Sequence, residues 1–219
     1  MAEPQNLEAL RSAAQAAIRD LRTRKPQLDD DSIDMILRDA RSHYAWTDKP
    51  VPREILEASY DIMSAGPTSV NTCPARLVFV TTEDGKARLA KSLKPANVKK
   101  MEGAPVTAIL AHDLEFWTHL PFLFPHEDRR HLFEGKAAHI EATAFRNGTL
   151  QGAYFMIAAR ALGLDVGAMS GFSNQIVDEE FFAGTSLRSN FLINLGHADE
   201  SAVFQKLPRF AFDDVCSFE

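Results

Sequence analysis

Ala65-Gly66-Pro67-Thr68-Ser69-Val70-Asn71, followed by Cys73-Pro74-Ala75-Arg76 and the apolar run Leu77-Val78-Phe79-Val80, is the stretch on which the fold turns. Gly66 and Pro67 end the preceding helix, because the proline ring removes a donor and excludes the helical conformation for the residue before it. Hydroxyl and amide side chains are then presented on a loop, and a buried strand fixes that loop in place. Taken alone, the pattern fits a helix-to-strand connection rich in turn formers as well as it fits a binding loop.

Three other segments bear on the choice. Ala40-Arg41-Ser42-His43-Tyr44-Ala45-Trp46 closes a predicted helix over Ile33 to Arg41. An arginine beside a hydroxyl can grip a phosphate with forked donors, or can be a solvated helix end. In Asn97-Val98-Lys99-Lys100 the i, i+3 spacing puts the amide of Asn97 and the ammonium of Lys100 on one helical face, a pair able to read the edge of a heterocycle. Gly163-Leu164-Asp165-Val166-Gly167-Ala168-Met169-Ser170-Gly171-Phe172 follows a long helix, and its glycines let backbone N–H groups approach a flat ligand.

In this order and at these separations the four segments resemble the FMN-dependent nitroreductase family, from about Ile33 to Phe218, with Asp39 to Arg76 and Thr143 to Gly171 the closest parts. The wording Gly-Pro-Thr-Ser-x-Asn-x-x-Pro-Ala-Arg, Leu120-Pro121-Phe122-Leu123-Phe124-Pro125-His126 and Ala144-Phe145-Arg146-Asn147 is most similar to the malonic semialdehyde reductases of uracil degradation. The resemblance implies an α+β fold, an α/β sandwich with a mixed central sheet flanked by helices, and an intertwined homodimer with two flavin pockets at its interface. Outside the resemblance, residues 1–32 read as a helical extension and linker, and the resemblance implies an FMN-binding domain over 33–219. Carried over residue by residue, it implies Arg41 and Ser42 at the FMN phosphate and ribityl chain, with Arg209 as a second phosphate ligand. Asn97 and Lys100 fall at the polar edge of the ring, Met169, Ser170 and Gly171 line it, and the partner chain adds Pro67, Thr68, Ser69 and Asn71. Many members carry Arg-Arg-Ser-x-Arg where this chain has Ala40, Arg41, Ser42, His43 and Tyr44; His43 either compensates at the phosphate or is a surface histidine. Cys73 and Ala75 stand where Gln and Trp are common.

The implied chemistry is two-step hydride transfer. NADH or NADPH reduces the flavin at N5, leaves, and an acceptor takes the hydride in the same space, so no side chain is named as catalytic. For malonic semialdehyde the carboxylate requires a cation, and His126, Arg129 and Arg130 are the candidates, in an aromatic, proline-punctuated insertion over His112 to Gly135 that reads as a mobile lid or, at those three positions, as a solvated charge run. The alternatives are a broad nitroarene or quinone reductase and a non-catalytic flavin-binding or sensing protein. His126, Asp128 and His131 do not share a helical face, so no metal site is expected.

Length and composition agree with one compact domain. The chain has 219 residues, 45% hydrophobic and 25% charged, enough for a substantial core, and its net charge of −6 argues against a nucleic-acid surface. No apolar run spans a bilayer and the opening Met-Ala-Glu-Pro-Gln-Asn is polar, so a cytoplasmic protein is expected, its small-molecule acceptor aside partnered only by itself. Cys73 and Cys216 read as reduced, packed thiols. Apolar positions at helical spacing predict a helix over Leu7 to Arg24, and others over Pro52 to Ser64, Gly85 to Ser92 and Ala137 to Leu162. Strands are expected over Arg76 to Thr82 and Val106 to Ala111, both buried on two faces, and over Asn190 to Leu195. Small residues on the long helix suit either a subunit contact or an intramolecular one. Residues Met1 to Asp31 either wrap the dimer or are disordered.

Overall fold

The computed structural model describes residues 7–25 and 27–219; the polar opening at 1–6, the Leu7 side chain and Pro26 of the expected linker lie outside the described residues. The chain divides into two compact units, one ending at Ala40 and one comprising Arg41–Glu219. In the first, helix α1 spans Leu7–Arg24, as its periodicity predicts, and carries an i, i+4 pair between Asp20 and Arg24 at 2.7 Å. Asp29 caps the short helix α2, Asp30–Ile33, by accepting the Ser32 N–H at 2.8 Å. Hydrogen bonds from Ser32 and Lys25 hold the Asp29 carboxyl well below the usual carboxylate range. The single helix expected over Ile33 to Arg41 is instead α2 running into a π-helical turn at Asp34–Arg38.

The second unit is a four-stranded sheet between two helical layers. Helix α3 (Arg53–Ser64) precedes strand β1 (Ala75–Val80), and α4 (Glu83–Ala90) and α5 (Pro95–Glu102) follow it. Strand β2 (Val106–Asp113), the short α6 (Leu120–Leu123), the long α7 (Ala137–Ala161) and strand β3 (Asp165–Met169) come next. Helix α8 (Asn174–Phe181), strand β4 (Leu187–Gly196) and the one-turn α9 (Phe212–Val215) complete the chain. The order across the sheet is β1-β2-β4-β3 with every neighbouring pair antiparallel, so its mixed character rests on one parallel bridge, Ser42 to Val166, at the β3 edge.

Alternation along the central strands divides the core. Ala108, Leu110, Ile193 and Leu195 meet Leu56 and Met63 of α3 and Phe155 and Ala159 of α7. Ile109, Ala111 and Leu192 meet Leu89 of α4, Met101 of α5 and Val177 of α8. Both faces of β2 are covered throughout, as its nearly unbroken apolar character predicts. Strand β1 corrects the same expectation, because it is an edge strand whose Arg76 to Phe79 are only half-buried. The small residues of α7 serve intramolecular contact: a Cβ on Gly148 would stand 2.9 Å from that of His112, and one on Gly152 would overlap Leu110 and Phe191. Cys216 is exposed rather than packed, and Cys73 is half-buried. Among the described residues no helix is long and apolar enough to cross a membrane.

His112 of β2 lies buried beneath α7 at Gly148. Burial lowers its pKa; Asp178, Glu141 and Asp113 favour the charged form and Arg188 opposes it. His43 and His197 are depressed by burial too. A depressed histidine pKa means the unfolded chain takes up protons first. Stability is therefore complete above the unfolded value of about 6.5 and is lost as pH falls from there toward the folded pKa. The apparent Tm is expected to drop between pH 7.5 and 5.5, above the range in which carboxylates titrate, and His112→Asn is expected to flatten the profile. An unchanged slope in that variant would remove His112 as its source.

Candidate functional site

The first part of the site is assembled at the edge of β3. Helix α7 ends in a Schellman turn, with Gly163 at φ 81°, its N–H bonded to the Arg160 carbonyl and that of Leu164 to the Ala159 carbonyl, both at 2.9 Å. The turn delivers the chain directly into β3. There the His43 N–H donates to the Val166 carbonyl at 3.0 Å, and the Arg160 guanidinium donates to the Arg41 carbonyl at 3.2 Å. Gly167 permits this crossing, since a Cβ on it would overlap the His43 carbonyl oxygen. Asp165 organises the same segment from both sides, one carboxylate oxygen 3.3 Å from His43 Nε2 and the other accepting the Ala198 N–H at 2.7 Å. His43 is accordingly not a surface histidine, its side chain being 13% exposed. Burial lowers its pKa, Arg160 and Arg41 act in the same direction, and Asp165 opposes them.

Helix α5 brings the second part. Pro95 pre-sets its first turn, and the Asn97 amide donates to the Gly171 carbonyl at 3.0 Å. Gly171 lacks a Cβ where one would stand 2.6 Å from Asn97 Nδ2. An antiparallel bridge between Leu93 and Phe172 ties the two segments together. Asn194 of β4, in register with Thr107 and Gly167, accepts from the Thr107 hydroxyl at 2.7 Å and donates to the Lys100 carbonyl at 3.2 Å. Its Nδ2 also lies 3.9 Å from the Met169 sulfur. The Lys100 ammonium rests over the Tyr44 ring, 4.3 Å from its centroid. Arg41, Ser42, His43, Asn97, Lys100, Met169, Ser170 and Gly171 thus come from three segments joined at one end of the sheet.

The loop after α3 forms a separate structure. Gly66 lies against the Tyr154 ring, where a Cβ would overlap it, and the Tyr154 hydroxyl donates to the Pro67 carbonyl at 3.1 Å. Val70, Asn71 and Cys73 adopt left-handed backbone at φ 52°, 51° and 40°. Two amides one turn apart on α7 hold this bend: Asn147 accepts the Ser69 N–H at 2.8 Å and Gln151 the Ala75 N–H at 2.9 Å. The Thr68 hydroxyl accepts the Cys73 N–H at 3.2 Å. Asn71 donates to the Leu123 carbonyl at 2.8 Å, and Val70 packs against a small core of Phe116, Leu120, Phe133 and Ala144. The insertion expected to be a mobile lid therefore has a core of its own and seats the loop.

Along α7 the two parts are well apart. Asn147 holds the loop and Arg160 holds Arg41, and a separation of thirteen positions corresponds to roughly 20 Å of helix at about 1.5 Å each. Within one chain the loop with Pro67, Thr68, Ser69 and Asn71 is anchored that far along α7 from Arg41. Arg209 lies in the exposed C-terminal segment and donates to the carbonyls of Leu207 and Pro208, each at 3.0 Å. In the insertion, Arg129 pairs with Glu127 and Arg130 with Asp128, each at 2.6 Å. The Arg130 bonds hold the Asp128 carboxyl down to about 2. His126 meets the Phe124 ring edge-on, and among the described residues no three metal-ligating side chains come together. Asp165, Asn194, Asn147 and Gln151 escaped the sequence reading. The last two were legible as a polar i, i+4 pair on an otherwise apolar helix face; the others show only as long-range contacts.

The profile of the nitroreductase family matches residues 37–197. A Burkholderia lata protein provisionally named NADH dehydrogenase/NAD(P)H nitroreductase is 52% identical over 192 residues, 88% of this chain and 98% of its own. One of the same name from Stenotrophomonas maltophilia is 52% identical over 188 residues, 86% and 96% of the two chains. The fold matches a crystal structure of an Exiguobacterium sibiricum protein, provisionally a nitroreductase in complex with FMN, at TM-score 0.76 and 21% identity, covering 88% of this chain and 99% of that one. With the profile covering most of the chain and half the residues shared with full-length relatives, this protein belongs to the nitroreductase family.

Proposed function

We propose that this protein is a cytoplasmic, homodimeric, FMN-dependent NAD(P)H oxidoreductase whose domain begins near Ile33. The observation that carries the reading is the convergence of Arg41, Ser42, Asn97, Lys100 and Gly171 beside β3, with a Lys100 ammonium that makes no ion pair among the described residues. That donor set suits FMN: guanidinium and hydroxyl for a phosphate, amide and ammonium for a polar ring edge, and glycine where a flat ring needs close backbone. The relatives' names and the FMN in the Exiguobacterium structure support it. FMN, when bound, supplies a ring whose N5 accepts hydride from NAD(P)H and returns it to an acceptor. Lys100 favours negative charge on the N1–O2 edge, Asn97 fixes the orientation of that edge, and Met169, Ser170 and the Gly171 N–H line the ring. Arg209 is proposed as a second phosphate ligand once the C-terminal segment is seated on a partner.

The separation of the two parts supports a homodimer. A second copy can bring its Pro67, Thr68, Ser69 and Asn71 to the first copy's site, whose Arg41 is anchored roughly 20 Å along α7 from the point where the same chain holds its own loop. The outer edge of β1 and the exposed Phe204, Phe210 and Phe218 of the C-terminal segment are further surfaces for such a partner.

For the acceptor, malonic semialdehyde follows from the sequence resemblance, with His126, Arg129 and Arg130 to receive its carboxylate. A nitroarene or quinone is favoured by the ion pairs that already neutralise both arginines. The purified protein is expected to be yellow, to bleach anaerobically with NADH or NADPH, and to recover colour with either acceptor. A colourless preparation that takes up no FMN would overturn the reading. An Arg129→Gln/Arg130→Gln variant separates the acceptors: a KM raised about tenfold for the semialdehyde alone supports the acid-binding role, and equal changes for both favour the nitroarene.

A further inference from the structure

Resting on the flavin reading, one question is what aims the Lys100 ammonium. Its backbone is fixed, because its carbonyl accepts from Asn194, which is held by Thr107, and both of those residues are buried. The side chain is a long flexible stem, and other lysines here are aimed by oxygen: Lys91 by Glu180 at 2.6 Å, Lys25 by Asp29 at 3.0 Å and Lys86 by the Ala104 carbonyl at 2.6 Å. Lys100 has the face of Tyr44 at 4.3 Å. The difference matters electrostatically. A carboxylate would hold the ammonium but cancel the positive potential it projects, whereas an aromatic quadrupole holds it and leaves that potential almost whole. Tyr44 is itself well placed to do this. It lies in a segment clamped to the sheet at both ends, by the Ser42 to Val166 bridge and the Trp46 to Ala198 bridge.

We propose that Tyr44 is a positioning residue: its ring face fixes the Lys100 ammonium and so sets how strongly the protein favours negative charge at the N1–O2 edge of bound FMN. The ring is required and the hydroxyl is not. The role belongs to the phosphate-binding segment's own side chain, so the segment that grips the cofactor's tail also tunes its head.

The test is a double-mutant cycle on the dimeric protein, using wild type, Tyr44→Phe, Tyr44→Leu, Lys100→Met and the Tyr44→Leu/Lys100→Met pair. The readings are the FMN Kd from fluorescence quenching and the midpoint potential of the bound cofactor from dye equilibration. Tyr44→Phe is expected to match wild type in both. Tyr44→Leu is expected to weaken FMN binding about two- to fivefold, the factor equivalent to an exposed cation–π contact, and to make the potential more negative. In the Lys100→Met background the same change is expected to alter neither reading. Equal effects of Tyr44→Leu in both backgrounds, a Tyr44→Phe variant that behaves like Tyr44→Leu, or a loss of affinity with no change in potential would each overturn the proposal while leaving the flavin reading intact. A wild type that binds no FMN would overturn both.

Discussion

Replacing Arg76 by leucine is expected to lower the unfolding free energy by about 3 kcal/mol and to strip FMN from the protein on gel filtration. Arg76 donates to the Asp113 carboxylate at 2.7 Å, and the Asp113 side chain is only 7% exposed. That carboxylate also accepts from the Glu115 N–H at 2.8 Å and the Ser186 hydroxyl at 2.6 Å, bonds that would remain around an uncompensated charge. Removing one member of a buried pair costs roughly 3–5 kcal/mol, and the lower end applies because Arg76 is 34% exposed. The functional effect has a second origin. The other arm of the guanidinium holds the carbonyls of Cys73 at 3.1 Å and Ala75 at 3.0 Å, pinning the exit of the loop that the dimer reading gives to the partner's cofactor. Arg76→Lys keeps the charge without the fork and is expected to restore only part of both properties. Urea unfolding and the ratio of visible to ultraviolet absorbance check the result; a leucine variant within about 1 kcal/mol of wild type and fully yellow would show that the ion pair is dispensable.

Gly167→Ala is expected to be as damaging from the opposite end of the site. The obstacle to its Cβ is the His43 carbonyl, with Trp46 next at 3.2 Å, and a backbone atom cannot swing aside as a side-chain tip can. Relief requires the segment with Arg41 and Ser42 to lift from β3, breaking the His43 N–H bond to Val166. The expected cost is about 3 kcal/mol, the upper part of the overpacking range, and the expected loss of FMN affinity is at least about tenfold, since the proposed phosphate-binding segment moves bodily. Gly163→Ala is the useful contrast. Nothing surrounds that Cβ, only the left-handed backbone opposes it, and a cost of about 1 kcal/mol with FMN retained is expected. A Gly167→Ala variant with unchanged Tm and FMN Kd would refute the close crossing.

The regular parts of this fold were legible because local pattern and tertiary role agree in them. Helix α7 is a long run of helix formers without proline over Ala137–Ala161, and β2 carries only the Thr107 hydroxyl among its apolar residues before His112. Strand β3 was not legible: five residues with a glycine at the centre carry little strand signal, and its place is set by β4 on one side and by Ser42 and His43 on the other. Leu77, Val78 and Phe79 read as interior but lie on an edge, because apolar character reports that something covers a strand without saying whether it comes from the same chain. In the candidate site, residue chemistry singled out segments that the fold brings together, while the contacts that join them, His43 to Asp165 and Asn194 to Lys100, span about a hundred residues and leave no local trace.

The bend at Val70 to Cys73 has a bearing on how this protein can be altered. A β-branched side chain in the left-handed basin lies roughly 1–2 kcal/mol uphill of its relaxed state, and Asn71 and Cys73 share that basin. The segment is therefore kept bent by its neighbours, like a drawn bow, and its shape is borrowed from Asn147, Gln151 and Arg76. Glycine at position 70 would keep the bend at ease but give up the contact with the insertion's core and loosen the unfolded chain, so the strained valine is the side chain that ties the curve to the rest of the molecule.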